Sequence, residues 1–210
     1  VQGDWSSDVC SSDLIITALA TTAWKNDLHA FLGELVISDA IIRDGQTLVG
    51  IYTRPSNSVA LACKNLKDFQ TLRIASNKDW SVDWQTLQNL GARHCVDVKT
   101  WRQMAYMVSG GEVDAVLAPF PNNQELRIEY DGCQLIPIPG LVVSLHGSRH
   151  FGVSRNELGK KIADTVFPTL TQLVETGAVT VAMRECGFIN DAVKDWTVLH
   201  QDEIISPPLH

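Results

Sequence analysis

Neither lysine nor arginine occurs before Lys25, and Asp4, Asp8 and Asp13 interrupt every apolar run of the opening stretch DWSSDVCSSDL (4–14). A secretory signal needs a basic start and an apolar core of roughly 7–15 residues, so this stretch is not expected to be one. Nowhere does an apolar run approach the roughly 18 residues that span a bilayer, and membrane insertion is not expected. Basic residues are also scarce, 17 Lys and Arg against 24 Asp and Glu for a net charge of -7. That excludes the electrostatic footprint of a nucleic-acid binder, which must neutralise phosphates. None of the five cysteines forms a CxxC pair, which excludes a zinc knuckle or a thioredoxin-like motif. GxSxG, GxxxxGK[ST] and HExxH are all missing, so the standard nucleophile, nucleotide and zinc-hydrolase signals are absent and no enzyme activity or cofactor is expected.

The opening stretch itself has a non-biological reading. Residues 4–14 back-translate, in one frame, to a string resembling a widely used sequencing-library adapter. Residues 1–14 are therefore expected to be an artefactual, disordered leader that stands in place of the natural N-terminal segment. Setting the leader's three aspartates aside lowers the acidic count from 24 to 21. It also removes Cys10, leaving Cys63, Cys95, Cys133 and Cys186 beside apolar segments. Core cysteines are the favoured reading there, with a disulfide left open. ALATTAW (18–24) fits both the tail of an A-x-A cleavage site and an ordinary apolar strand. The remaining composition, 45% hydrophobic and 20% charged, is close to that of soluble globular domains, about 45–50% and about 25%.

Segments of strand and helix type alternate along the chain. VALACK (59–64) and LRIAS (72–76) are short apolar runs bounded by polar residues, as buried strands are. SVDWQTLQN (81–89) sets Val82, Trp84, Leu87 and Leu90 at helical spacing, with Ser81 as candidate N-cap and Gly91 as stop. HCVDV (94–98) is the next strand. Thr100 then caps a helix carrying Trp101, Met104, Ala105 and Val108 on one face, ended by Gly110 and Gly111. VDAVLAPF (113–120) closes the run as a strand stopped by Pro119 and Pro121. Strand, helix, strand, helix, strand implies a parallel sheet with helical crossovers, whose ligands sit beyond the carboxyl ends of the strands. The loops after Ala75 and Ala118 are the candidate binding loops.

Upstream, Asp44 and Gly45 between two β-rich runs signal a hairpin. Downstream come strand candidates on both sides of Gly147, then a helical stretch over 156–176. Its apolar stripe is Leu158, Ile162, Val166, Leu170 and Leu173, and Pro168 is expected to kink or split it. AVTVAMRECG is a further short helix stopped by Gly187.

The succession LGARHCVDVKTWRQMAYMVS, GGEVDAVLAPF and HFGVSRNELGKKIADTVFPTLTQLVETGAVTVAMRECGF resembles the type II periplasmic solute-binding proteins, family 3 in particular, over most of 58–188. The resemblance implies an α/β fold of two lobes joined by hinge strands, with the first lobe incomplete at its N-terminus. Residues 15–65 and 150–210 would form that first lobe and 66–149 the second. It implies a periplasmic, monomeric protein that binds a small polar or anionic solute in the interlobe cleft and hands it to a membrane transporter or a sensor. An effector-binding domain of a regulator, or an enzyme sharing the fold, are the alternatives. Its ligand-binding candidates are Arg54 and Ser56 of YTRPSNS, Ser76 with Asn77, Trp80, Trp101 and Phe120. Arg54 would correspond to the family's ligand-loop arginine, able to grip a carboxylate bidentately. In amino-acid binders of the family an acid follows the VDAVL strand, whereas Pro119 stands here, which argues against an ordinary amino-acid ligand. Asp114 is expected to stabilise its turn. His146 and His150 stand at i and i+4, but Gly147 and neighbouring strands argue against the helix a metal pair would need, and no metal is expected.

Overall fold

The protein is described here by a computed structural model covering residues 22–28 and 31–199. The expected leader at 1–14 lies outside the described residues, as do 15–21. The elements open with β1 (Ala23–Trp24), α1 (Lys25–Leu28), β2 (Leu35–Ile37) and β3 (Thr47–Thr53). Next come α2 (Ser58–Leu61), α3 (Leu66–Phe69), β4 (Arg73–Ser76), α4 (Ser81–Asn89), β5 (His94–Asp97), α5 (Trp101–Gly110) and β6 (Ala115–Ala118). The chain ends through β7 (Ile128–Tyr130), β8 (Cys133–Leu145), β9 (Arg149–His150), β10 (Gly152–Ser154), α6 (Glu157–Glu175), α7 (Ala178–Glu185) and β11 (Thr197–Leu199).

A seven-stranded sheet dominates, in the order β11-β8-β3-β6-β4-β5 with β7 paired to β8. β4 lies parallel to β5 and β6, as the alternating pattern predicts. β3 runs antiparallel between β6 and β8. Side chains alternate between two cores, as a pleated strand requires. Ile51, Ile74, Leu117 and Val143 point to a face covered with Phe69, Val82 and Leu87. Tyr52, Ala75, Val116 and Val142 point to the other, against Met104, Ala105 and Val108 of α5. β3 and β11, drawn from the segments 15–65 and 150–210, are both members of this sheet. Two small antiparallel ribbons, β1 with β9 and β2 with β10, complete the strands. No helix among the described residues is long and apolar enough to cross a membrane.

α5 forms as its sequence dictates. Thr100 Oγ1 accepts from Gln103 N at 3.2 Å, and Gly111 ends the helix at φ 81°, a left-handed conformation that suits glycine. Five expectations are corrected. VALACK is not a strand: Asn57 Oδ1 accepts from Ala60 N at 3.2 Å and starts α2, which buries Ala60 and leaves Val59 72% exposed. A local cap thus overrides a weak apolar pattern. Gly45 does turn the chain, at φ 79°, but no hairpin results, because β2 pairs with β10 while β3 enters the main sheet. Pro168 does not split α6, which runs through it as one helix. Leu158, Val166 and Leu173 of its stripe are exposed and Ile162 and Leu170 only half-buried, while Gly159 and Ala163 make the fully buried contact. A Cβ on Gly159 would meet Ser154 O, so close approach of backbone to backbone, not a leucine seam, docks this helix. Of the cysteines, Cys63 and Cys133 are buried, Cys95 is partly buried, and Cys186 is exposed rather than in a core; all four are unpaired.

Candidate functional site

β4, β5 and β6 all end at the same margin of the sheet, where the loop after β4 leads into α4. Ser76 and Asn77 are buried there. Asn77 is committed to the loop: its Nδ2 donates to Lys99 O at 3.2 Å and its Oδ1 accepts from Asp79 N at 2.9 Å. Asp97 Oδ1 accepts from Lys78 N at 3.1 Å, and that bond, with Lys99 beside it, holds the Asp97 carboxyl below its ordinary range. The loop is therefore rigidly preset from β5. The Ser76 hydroxyl, by contrast, has no hydrogen-bond partner among the described residues.

Trp80 is the residue before α4, half-buried, and offers no side-chain cap. Ser81 is accordingly not the cap but the first helical residue. Its Oγ donates to Asp27 Oδ1 of α1 at 2.5 Å, which places a carboxylate beside the N-terminal end of α4, where the helix dipole favours negative charge. Next to it Arg149 of β9 stacks over Trp24, its Cζ 4.7 Å from a ring centroid. The guanidinium is held there by Thr22, with Nη2 donating to the carbonyl at 2.7 Å and Nε to Oγ1 at 3.1 Å. Gly147 lets the two sides close, since a Cβ there would come within 3.2 Å of the Trp24 ring and 3.5 Å of Val82.

One turn into α4, burial raises the Asp83 carboxyl to about 6; Asp27 pushes it further up, while its own backbone hydrogen bond and Arg149 pull it down. Burial likewise lowers Arg149 from the usual arginine value, against the pull of Asp83 and Asp27. The Ser81 hydroxyl, the stacked Arg149 guanidinium and the Asp27 and Asp83 carboxylates thus come together where β1 and β9 meet the start of α4. Such a set can hold a small polar solute bearing a carboxylate.

Of the residues expected from sequence, Ser76, Asn77 and Trp80 lie on the connection from β4 to α4. Trp101 begins α5 at the same margin, but its ring meets the edge of Tyr130 at 6.4 Å. Phe120 is buried on the α5 side, 6.2 Å from Tyr52 and 5.8 Å from Trp196 between ring centroids. Arg54 and Ser56 follow the end of β3, which runs antiparallel to β6, and so lie at the opposite margin. There the Arg54 Nη1 donates to Val108 O at 3.4 Å and packs against Gly111 at the end of α5. Asp114 ties the neighbouring turn as expected, its Oδ2 accepting from Arg73 N at 2.9 Å. His150 sits with its ring nitrogens 2.8 Å from Ser38 O and 2.7 Å from Ser148 Oγ. Asp27, Ser81, Asp83 and Arg149 were not singled out by sequence. Ser81 carried only a helix-start signal, Asp83 was no more than a member of the helix 81–89, and Arg149 lay inside HGSRH, where the histidines drew the chemical reading.

No family model matches the chain, and no curated protein sequence matches it. Solved structures do. A probable amino-acid ABC transporter extracellular-binding protein from Bacillus subtilis is similar at 12% identity and a TM-score of 0.51, over 76% of this chain and 66% of that one. An amino acid ABC transporter substrate-binding protein from Streptococcus pneumoniae, bound to L-arginine, is similar at 13% identity and a TM-score of 0.51, over 79% of this chain and 64% of that one. An arginine transport system periplasmic binding protein from Legionella pneumophila gives 15% identity and a TM-score of 0.50, over 75% of this chain and 68% of that one. The likeness is one of fold: α/β, of the two-lobe periplasmic-binding-protein type. The chain spans about two thirds of the length of these solved chains.

Proposed function

We propose that the chain is a non-enzymatic solute-binding protein that takes a small polar or anionic solute, bearing a carboxylate, at the junction between its lobes. The observation that carries this reading is the contact of Ser81 with Asp27: a carboxylate from one side of the junction already lies on a hydroxyl at the N-terminal end of α4 on the other. A solute carboxylate would take the place of Asp27 on the Ser81 hydroxyl and reach the Arg149 guanidinium beside it. The first lobe on this reading comprises 22–42 and 149–188, and the second comprises 47–145 and 197–199, with the chain crossing at 43–46, 146–148 and 189–196. Closure would follow from the solute's greater affinity for the closed arrangement.

The solved relatives named above are transport-system binding proteins, which supports uptake through an ABC-type membrane transporter, or sensing, in the periplasm or outside the cell. Amino acids are the solutes to try first, although Pro119 after β6 removes the acid that would meet an ammonium group. The test is a thermal-shift screen of the chain against amino acids, organic acids, oxyanions and sugars. A solute at about 100 times its Kd should add roughly 2.7 kcal/mol. If no solute raises the melting temperature, the reading fails.

A further inference from the structure

On the α5 side of the same strand ends lies a hollow of about 360 Å3, lined by the linker before β3, by α7 and by the segment that follows it. Its apolar wall includes Phe120, Val179, Met183 and Phe188. The hollow is firmly built. Gly187 at φ 82° presses on Asn122, where a Cβ would be 2.5 Å from the Asn122 Cβ, and Asn190 Nδ2 donates to Pro121 O at 3.5 Å.

Its charge is opposite to that of the chain. Arg43, Lys194 and Arg184 line it, against Asp191 alone, in a protein of net charge -7. Arg184 is engaged with Asp191 at 3.6 Å. Among the described residues no hydrogen bond or ion pair holds the Arg43 guanidinium or the Lys194 ammonium. An apolar wall with two uncommitted cations at its rim is complementary to a molecule that is apolar at one end and anionic at the other. The volume is near the lower end of ligand pockets, about 300–1,000 Å3, so the occupant is compact.

We infer that this hollow is a second ligand site, separate from the α4 junction, for a compact amphiphilic carboxylate. Its apolar body lies against Phe120, Met183 and Phe188, and its carboxylate is shared by Arg43 and Lys194. The hollow lies along two of the crossing segments, 43–46 and 189–196, but shares none of Asp27, Ser76, Ser81, Asp83 and Arg149, so its test is independent of the solute proposed above.

The test titrates the full chain with 4-phenylbutyrate by calorimetry, alongside acetate and 4-phenylbutanol, which carry the anion and the apolar body separately. Saturable binding of 4-phenylbutyrate is expected, with both partial probes weaker by about tenfold or more. Losing a charged hydrogen-bond partner is worth about 1.5–3 kcal/mol, or about tenfold and upward. The double variant Arg43→Ala with Lys194→Ala should therefore weaken binding at least about tenfold, Thr180→Trp should abolish it by filling the hollow, and Ser81→Ala should leave it unchanged. Far-UV circular dichroism of each variant checks folding, and because Arg43 and Lys194 are exposed their replacement tests the site even if Thr180→Trp fails to fold. Absence of saturable binding overturns the inference. So does binding that survives loss of both cations, or binding that Ser81→Ala removes.

Discussion

The Ser81 hydroxyl donates to the Asp27 carboxylate at 2.5 Å, and this bond ties α1 to α4 across the junction. Both residues are half-buried, so the bond is partly shielded from water. A hydrogen bond to a charged acceptor contributes about 1.5–3 kcal/mol when well shielded, and about 1–2 kcal/mol is expected here. Asp27→Ala and Ser81→Ala should each cost that much in urea unfolding, and the double variant should cost scarcely more than either alone. Simple additivity in the double-mutant cycle would refute the coupling.

Asp83 makes stability depend on pH in a defined window. Its folded value, about 6, lies above the 3.8 of an ordinary aspartate. Between these two values the folded chain binds the proton more tightly than the unfolded chain does. The resulting stabilisation is complete below about pH 4 and is lost as pH rises through about 6, at most about 3 kcal/mol. Asp83→Asn should remove this decline, so that the variant matches the parent near pH 4 and exceeds it at pH 7. Denaturant midpoints from pH 4 to 7 measure the difference, and parallel curves for the two proteins would contradict the assignment.

Much of the sheet was legible because its information is local. Thr100 and Gly111 bracket α5 by capping chemistry alone, and the parallel strands β4, β5 and β6 announce themselves as apolar runs between helices. α2 was misread because a single cap bond from Asn57 outweighs a run of apolar residues too short to show a period. The exposure of Leu158, Val166 and Leu173 on α6 could not be seen, since periodicity reports an apolar face and says nothing of what covers it. The candidate site was half legible. Ser76 and Asn77 follow from the rule for parallel strand ends, whereas Asp27 and Arg149 are brought to α4 by pairing of β1 with β9, which no local pattern encodes.

Gly159 tests the docking of α6. A Cβ at this position would come within 1.9 Å of Ser154 O, a backbone atom that cannot swing aside. Gly159→Ala should therefore destabilise the chain by about 1–3 kcal/mol, as overpacked sites do, despite alanine's better helix propensity. Gly33, with nothing within 4 Å of a Cβ and no positive φ, should accept alanine with a change below about 0.5 kcal/mol. Thermal denaturation of the pair separates steric docking from propensity. Equal melting temperatures would mean that α6 can slide away from β10 without penalty.

Arg54 separates the two margins of the sheet. Its chemistry suits a carboxylate, and the sequence offers it a loop rich in Pro, Ser and Asn. Its guanidinium is instead at the end of α5, donating to Val108 O and covering Gly111, where a cation complements the negative end of the helix dipole. Arg54→Ala should thus lower stability by about 0.3–1 kcal/mol and leave the affinity for any solute found in the screen unchanged. Arg149→Ala should lower that affinity by about tenfold or more, because a charged hydrogen bond is worth about 1.5–3 kcal/mol. If Arg54→Ala weakens solute binding and Arg149→Ala does not, the solute lies at the amino ends of β4 and β6, and the junction is a structural contact only.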